Sequence, residues 1–163
     1  MPKKKSPRGL PFNVRQEVRR HERELVTLRR ALHRIPEVAF NEHRTAEFVA
    51  RTLQECGLYV RTKVARTGVV GLLKGAAPGK TLMLRADMDA LPVQEATGLS
   101  FASTNAGVMH ACGHDGHMAI GLMSAKILTK QRAKLRGNIK FVFQPAEEGP
   151  GGAKQMIAEH VLS

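Results

Sequence analysis

A nine-residue segment, Met109 to His117, carries the side chains of this chain that are best suited to chemistry. It reads Met-His-Ala-Cys-Gly-His-Asp-Gly-His and so holds one thiol, three imidazoles and one carboxylate. Thiolate and imidazole are ligands that zinc and related transition metals prefer. Cys112 and His114 are two positions apart, and Gly113 between them permits a turn that aims both side chains at one point. The segment therefore predicts a metal site, and the alternative is a glycine-rich loop with a buried thiol and surface histidines.

Two acidic segments elsewhere in the chain could complete such a site. Asp87 and Asp89 follow one apolar run, and the pair Glu147-Glu148 follows another that ends at Pro145. Adjacent carboxylates on extended backbone point in opposite directions, so one glutamate can bind a metal while the other faces a water or a substrate. Either aspartate could be a ligand or could fix the tautomer of a ligating imidazole. The competing interpretations are a solvated surface pair for the glutamates and ordinary turn chemistry for the aspartates.

The secondary structure predicted around these segments places them at strand ends. Apolar periodicity predicts helices over residues 13–34, 41–56, 115–130 and from 152 to the end of the chain. Short apolar runs predict strands over residues 59–64, 68–74, 81–86 and 138–143, with a turn at 75–80. This order indicates an α/β fold, a layered sheet with helices on both faces, in which chemistry gathers beyond the carboxyl ends of strands.

Some finer expectations follow from the same patterns. The second helix is predicted to have Asn41 as its N-cap and Glu42 in its first turn. The strand over residues 81–86 is apolar enough to predict burial. The remaining histidines fall at helix ends or on helix surfaces, and we expect solvated cations without a functional role at His21, His33, His43 and His160.

The formal net charge of +12 is concentrated at the N-terminus, where residues 1–34 hold eleven of the 26 Lys/Arg and three of the 14 Asp/Glu. We predict a basic, disordered tail over residues 1–12 and one domain over residues 13–163. The charge alone suggests a nucleic-acid partner, but no aromatic residues interleave with the charges of the tail to stack on bases. No apolar run reaches the roughly 20 residues of a membrane span, and no signal peptide follows the basic start, so we expect a cytoplasmic protein without membrane contacts.

Four motifs, in order along the chain, resemble one enzyme family. They are Leu32-His33-x-x-Pro36-Glu37, residues 84–92 (Leu-Arg-Ala-Asp-Met-Asp-Ala-Leu-Pro), residues 109–117 and residues 143–149 (Phe-Gln-Pro-Ala-Glu-Glu-Gly). Together they resemble the amidohydrolase branch of the dinuclear metallopeptidases, which contains hippurate hydrolase, N-acyl-amino-acid amidohydrolases and indole-acetyl-amino-acid hydrolases. The resemblance implies a zinc-peptidase-like catalytic domain that binds two divalent metal ions and hydrolyses the amide bond of small N-acyl amino acids.

The resemblance also implies roles for individual residues. Cys112, His114 and Glu148 match metal ligands, and Asp89 matches a residue behind the site that orients a ligand. Glu147 matches the general base that takes a proton from the attacking water and returns it to the leaving amine. Supporting positions are matched by Asp87, His110 and His117. The implied ions are manganese or zinc, with cobalt or nickel as alternatives.

Members of this family are more than twice as long as this chain, and they add two downstream histidine ligands and a lid or dimerisation domain. We therefore expect the N-terminal part of such an enzyme, with an incomplete second metal site and with homodimerisation a property of the longer relatives. Alone, it is expected to be inactive and prone to aggregate through apolar surface on the helix at 115–130 and the strand at 138–143. The competing hypothesis is a non-catalytic metal-binding or interaction module that keeps the fold.

Overall fold

The computed structural model describes residues 13–163, and the predicted basic tail over residues 1–12 lies outside the described residues. The described chain forms four α-helices and four β-strands, in the order α1 (Val14–His33), α2 (His43–Glu55), β1 (Tyr59–Val64), β2 (Gly68–Lys74), β3 (Ala77–Asp87), α3 (His114–Thr129), β4 (Arg136–Gln144) and α4 (Gly152–Ala158). A short 3₁₀ turn over Arg132–Lys134 joins α3 to β4. Among residues 13–163, no helix is long and apolar enough to cross a membrane.

One four-stranded sheet, in the order β1-β2-β4-β3, organises the described part of the chain. β2 runs antiparallel to both β1 and β4, whereas β3 runs parallel to β4 with Asp87 paired to Gln144. The carboxyl ends of β3 and β4 therefore lie side by side. As a result, the two acidic segments leave the sheet next to each other.

Helices cover both faces of the sheet, which confirms the predicted α/β class. α1, α2 and α3 pack on one face, where Phe141 and Phe143 of β4 join Leu122 of α3 in the main core. α4 packs on the other face, where Met156 and Val142 belong to a smaller core. Successive side chains of β4 thus enter opposite cores, so this central strand is buried on both faces.

The start of α2 differs from the prediction. The helix begins at His43, so Glu42 precedes it, and the side chain of Asn41 donates to a nearby carbonyl oxygen without capping the helix. The carboxylate of Glu37 accepts the Thr45 N–H at 2.9 Å and a second N–H of the first turn at 3.2 Å. A carboxylate from outside the helix therefore binds the free N–H groups, and this moves the start of the helix beyond Asn41.

β3 is exposed, and the predictions of a buried strand over 81–86 and a turn over 75–80 were wrong. The strand begins at Ala77 and pairs on one side only among the described strands. Leu82 is 60% exposed and Met83 is 42% exposed, while Ile120 of α3 is 60% exposed. β4, which was predicted to expose apolar surface, is instead largely buried because it pairs on both sides. Both β3 and α3 thus carry exposed apolar side chains.

α4 is shorter than predicted, because it ends at Ala158 and does not continue to Ser163. His160 takes a left-handed conformation with a φ of 61°, and the Val161 N–H bonds back to the Met156 carbonyl oxygen at 3.1 Å. Such a reversal ends a helix and satisfies its last carbonyl groups. It also buries Val161 in the smaller core.

Candidate metal centre

His114 is the first residue of α3, and its ring is oriented by Asp89. The Nδ1 atom lies 2.9 Å from the Asp89 carbonyl oxygen and 3.3 Å from the Asp89 Oδ1 atom. A carbonyl oxygen can only accept, so in the neutral ring, the form that binds a cation, Nδ1 carries the proton and Nε2 has the lone pair. The preceding residue, Gly113, has a φ of 83°, a left-handed conformation that brings the chain sharply into the helix. His114 is therefore pre-set to present Nε2 as a ligand.

The Nε2 atom of His114 faces the turn that follows β4. This turn carries Glu147 and Glu148 and is called the acidic turn below. The Nε2 atom lies 3.9 Å from Glu147 Oε2 and 3.8 Å from Glu148 Oε1, and one ligand atom from each of the three residues lies within 4.8 Å of the others. Two atoms that share one zinc-sized ion are no more than about 4.4 Å apart. The three side chains thus fit a divalent cation with small side-chain adjustments.

Asp89 connects the histidine to the acidic turn. Its side chain is 1% exposed, and Oδ2 accepts the Glu148 N–H at 3.0 Å while Oδ1 faces His114. Burial opposes the charged form of Asp89, but hydrogen bonds from His114 and from the Glu148 backbone hold its pKa below the usual value. The Asp89 carboxylate in turn raises the pKa of His114 to about 9. Without a cation, the imidazole is therefore protonated at neutral pH, and a cation must displace that proton.

Cys112 lies beside the same turn on the exposed surface and is a free thiol. A hydrogen bond to the Glu148 carboxylate raises the pKa of the Cys112 thiol. Among the described residues, the thiol is not in either group of ligand atoms that already cluster within 4.8 Å. The structure therefore brings His114 and Glu148 together and leaves Cys112 adjacent to Glu148.

A second cluster of ligand atoms joins His114 to Asp87 and His117. The His117 ring stacks on His114 with a centroid separation of 5.3 Å, and its Nδ1 lies 3.4 Å from Asp87 Oδ2. Arg85 already places a fixed cation here, with Nη2 at 2.5 Å from Asp87 Oδ1 and 3.8 Å from Glu147 Oε1. Because the guanidinium lies closer to Asp87 than to Glu147, the cluster with Glu147 and Glu148 keeps more uncompensated negative charge and is the better cation site.

His110, the remaining predicted site residue, is buried behind the site. Its side chain is 3% exposed, and neither ring nitrogen has a hydrogen-bond partner among the described residues. Burial lowers the pKa of His110 to about 4, so the ring is neutral. It does not join either cluster of ligand atoms in residues 13–163.

His33 is buried, so the prediction of a solvated cation was wrong. The side chain is 2% exposed, with Nδ1 at 2.7 Å from Asp115 Oδ2 and Nε2 at 3.2 Å from Glu95 Oε1. Arg29 Nε also lies 2.7 Å from Asp115 Oδ2. This network ties α1 and the loop after β3 to the residue next to His114, so it supports the site from behind. One indication of this network was visible in the sequence, namely the position of His33 within the motif Leu32-His33-x-x-Pro36-Glu37. The partners of His33 could not be predicted, because Glu95 and Asp115 are distant in the chain.

Comparisons with known proteins identify the family and the fold of the chain. Residues 83–163 match Peptidase family M20/M25/M40. The chain is 47% identical to thermostable carboxypeptidase 1 of Saccharolobus solfataricus, over 92% of this chain and 39% of that protein. It is 49% identical to an N-acyl-L-amino acid amidohydrolase of Geobacillus stearothermophilus, over 85% of this chain and 38% of that protein.

A solved structure gives the same result for the fold. A dinuclear metal binding peptidase of the M20 family from Bacillus subtilis superposes with a TM-score of 0.84 at 41% identity, over 89% of this chain and 41% of that one. The chain thus spans about two-fifths of the length of these relatives, 38% to 41% in the three cases. The residues that match the family model include the two acidic segments and the histidine-rich segment. The chain therefore belongs to Peptidase family M20/M25/M40.

Proposed function

We propose that this chain carries part of the active site of a metal-dependent amidohydrolase that cleaves the amide bond of small, hippurate-like N-acyl amino acids. The observation that carries the proposal is the His114 Nε2 atom, which Asp89 leaves free and which faces the carboxylates of Glu147 and Glu148. The name of the Geobacillus stearothermophilus relative supports the substrate class. The dinuclear Bacillus subtilis peptidase supports the use of two ions.

The side chains of the site have two proposed roles, which are to hold an ion and to move a proton. Cys112, His114 and Glu148 are proposed to hold a divalent ion, and Asp89 to orient the last two through its buried carboxylate. When bound, such an ion polarises the amide carbonyl and makes water a stronger nucleophile near neutral pH. Glu147 has a side chain that is 38% exposed, so it can reach a water at the mouth of the site. It is proposed to take the proton of the attacking water and to deliver it to the leaving amine.

The second ion needs ligands beyond the three that this chain is proposed to supply. We therefore propose that the chain alone is inactive. We also propose that the ion is manganese or zinc, with cobalt or nickel as alternatives. The protein is further proposed to act in the cytoplasm. Its proposed partner is a small molecule, not a nucleic acid or a membrane. The competing function, a non-catalytic metal-binding module, predicts the same ion site without hydrolysis.

The ligand assignment is tested by titrating the metal-free chain with Zn²⁺ in competition with a chromophoric chelator. Cys112→Ser and Glu148→Gln are each expected to weaken Zn²⁺ binding by more than about tenfold, because even outer partners of metal ligands have effects of that size. Cys56→Ser and Glu55→Gln are the matched controls, since both residues lie at the far end of α2 and away from the site. Unchanged affinity in both site variants would show that the ligand assignment is wrong.

A further inference from the structure

Glu42 is a fully buried carboxylate, 0% exposed, directly before α2. It makes no capping hydrogen bond to its own helix, whose first turn is bound by Glu37 instead. One oxygen of Glu42, Oε2, accepts the Thr67 hydroxyl at 2.5 Å. The other, Oε1, accepts the backbone N–H of Ala146 at 2.9 Å, although the two residues are 104 positions apart. Burying a carboxylate is costly, so both of its oxygens are used to hold other segments.

The segment held through Ala146 is the turn that presents Glu147 and Glu148. Ala146 is 0% exposed and has a φ of 50°, a left-handed conformation that residues with a side chain rarely adopt. Such a conformation persists only where the surroundings impose it. Here the Gly152 N–H binds the Ala146 carbonyl oxygen at 3.2 Å, while Glu42 binds the Ala146 N–H.

Close packing behind this turn leaves it little room to relax. A Cβ atom at Gly152 would lie 1.8 Å from the Pro145 carbonyl oxygen, so the start of α4 lies directly against the turn. Pro145 and Ala146 are both buried. The backbone before the two glutamates is thus fixed on one side by packing and on the other by the Glu42 carboxylate.

Two buried carboxylates therefore flank the acidic turn, Glu42 at the Ala146 N–H and Asp89 at the Glu148 N–H. We propose that Glu42 is a positioning residue, which fixes the backbone so that the carboxylate of Glu148 faces His114 Nε2. This inference rests on the proposed function, because it takes Glu148 to be a metal ligand. Glu42 touches neither the ion site nor the reacting groups, so its effect passes entirely through the turn.

The test compares Zn²⁺ affinity and amide hydrogen exchange in four variants of the chain. Glu42→Met keeps the length of the side chain but removes both acceptors, so it is expected to weaken Zn²⁺ binding by about tenfold or more. In the metal-free protein, the Ala146 and Glu148 amides are expected to exchange faster, while the amide of Phe141 in β4 is unchanged. Glu42→Gln keeps an oxygen for the Ala146 N–H and is expected to restore both readouts.

The controls separate positioning from general stability and from the proposed function. Glu37→Ala removes the other carboxylate at the start of α2, and it is expected to lower the unfolding midpoint without changing Zn²⁺ affinity or exchange at Ala146. If Glu42→Met does not fold, Glu42→Asp, which withdraws the carboxylate from Ala146, takes its place. Wild-type affinity in the Glu42 variant, or an equal loss in Glu37→Ala, would overturn the positioning role alone. Wild-type affinity in Glu148→Gln would overturn the proposed function itself.

Discussion

Replacing Asp89 with asparagine should weaken divalent-cation binding by about 10–100-fold while preserving the fold. Asparagine has the same shape as aspartate but offers one acceptor oxygen and one NH₂ group. The buried Asp89 side chain faces two donors, the Glu148 N–H at 3.0 Å and the His114 Nδ1 atom at 3.3 Å. Whichever way the amide turns, one donor is left facing the NH₂ group.

The size of the effect follows from the contact that is lost. A hydrogen bond to a charged group contributes about 1.5–3 kcal/mol. A loss of 10–100-fold in affinity corresponds to about 1.4–2.7 kcal/mol, so the two estimates agree. Either outcome of the amide turn misplaces one proposed ligand, because His114 loses its carboxylate partner or Glu148 loses its backbone anchor.

The assay is a Zn²⁺ titration against a competing chelator, repeated between pH 7 and pH 9. The pKa of His114 is about 9 in the metal-free protein because of Asp89, so protons compete with the cation below that pH. Wild-type affinity should therefore rise steadily with pH across this range. In Asp89→Asn the pKa of His114 is expected to fall, so the rise with pH should be shallower and the full loss should show at pH 9.

Asp87→Asn is the matched control, because Asp87 lies on the same strand end but pairs with Arg85 at 2.5 Å. It is expected to leave Zn²⁺ affinity close to the wild-type value. Asp89 does not orient the ligands if folded Asp89→Asn binds Zn²⁺ as tightly as wild type at pH 9, or if Asp87→Asn loses just as much affinity.

Three further outcomes are expected. Glu147→Gln should weaken Zn²⁺ binding less than Glu148→Gln, for which a loss of more than about tenfold is expected; equal losses in both would contradict the assignment of Glu147 as base and Glu148 as ligand. Hydrogen bonds, the largest from the Ser103 backbone, lower the pKa of Glu95 from its usual 4.5 to about 2. The ionised Glu95 therefore stabilises the folded state fully above about pH 4.5. This stabilisation is lost as the pH falls through about 2. Urea unfolding of Glu95→Gln should therefore show a smaller drop in stability between pH 5 and pH 2.5 than wild type, and an equal drop would refute this. Leu82→Lys on the exposed strand β3 should raise the monomer fraction in sedimentation velocity, with Thr62→Lys on β1 as control, and no change would show that β3 does not drive self-association.

Much of the fold followed from local patterns in the chain. Periodic apolar residues predicted α1 and α3 to within a residue or so, and the predicted positions of the acidic segments after two strands and of the histidine-rich segment before α3 are confirmed. The burial of β3 could not be predicted, because an apolar run reads the same whether a strand pairs on one side or on two. Likewise, the start of α2 depends on the Glu37 carboxylate, which binds the Thr45 N–H. Glu37 lies too far before the helix to belong to a capping pattern in the sequence.

The residues that hold the candidate site from behind were the hardest to predict. His33 reads as a helix-end histidine until Asp115 and Glu95, 82 and 62 positions away, are seen on either side of its ring. Glu42 reads as a first-turn acid until the Ala146 N–H is found against it. Each depends on a contact between distant segments, which composition and periodicity do not encode.

The proposed ligand set for one divalent ion is Cys112, His114 and Glu148. Anomalous diffraction from crystals of the Zn²⁺-loaded chain tests it most directly, because the signal marks the ion itself. The strongest anomalous peak is expected at about 2.0–2.3 Å from His114 Nε2, Cys112 Sγ and a Glu148 oxygen. A strongest peak between Asp87 and His117, or one remote from His114, would contradict it.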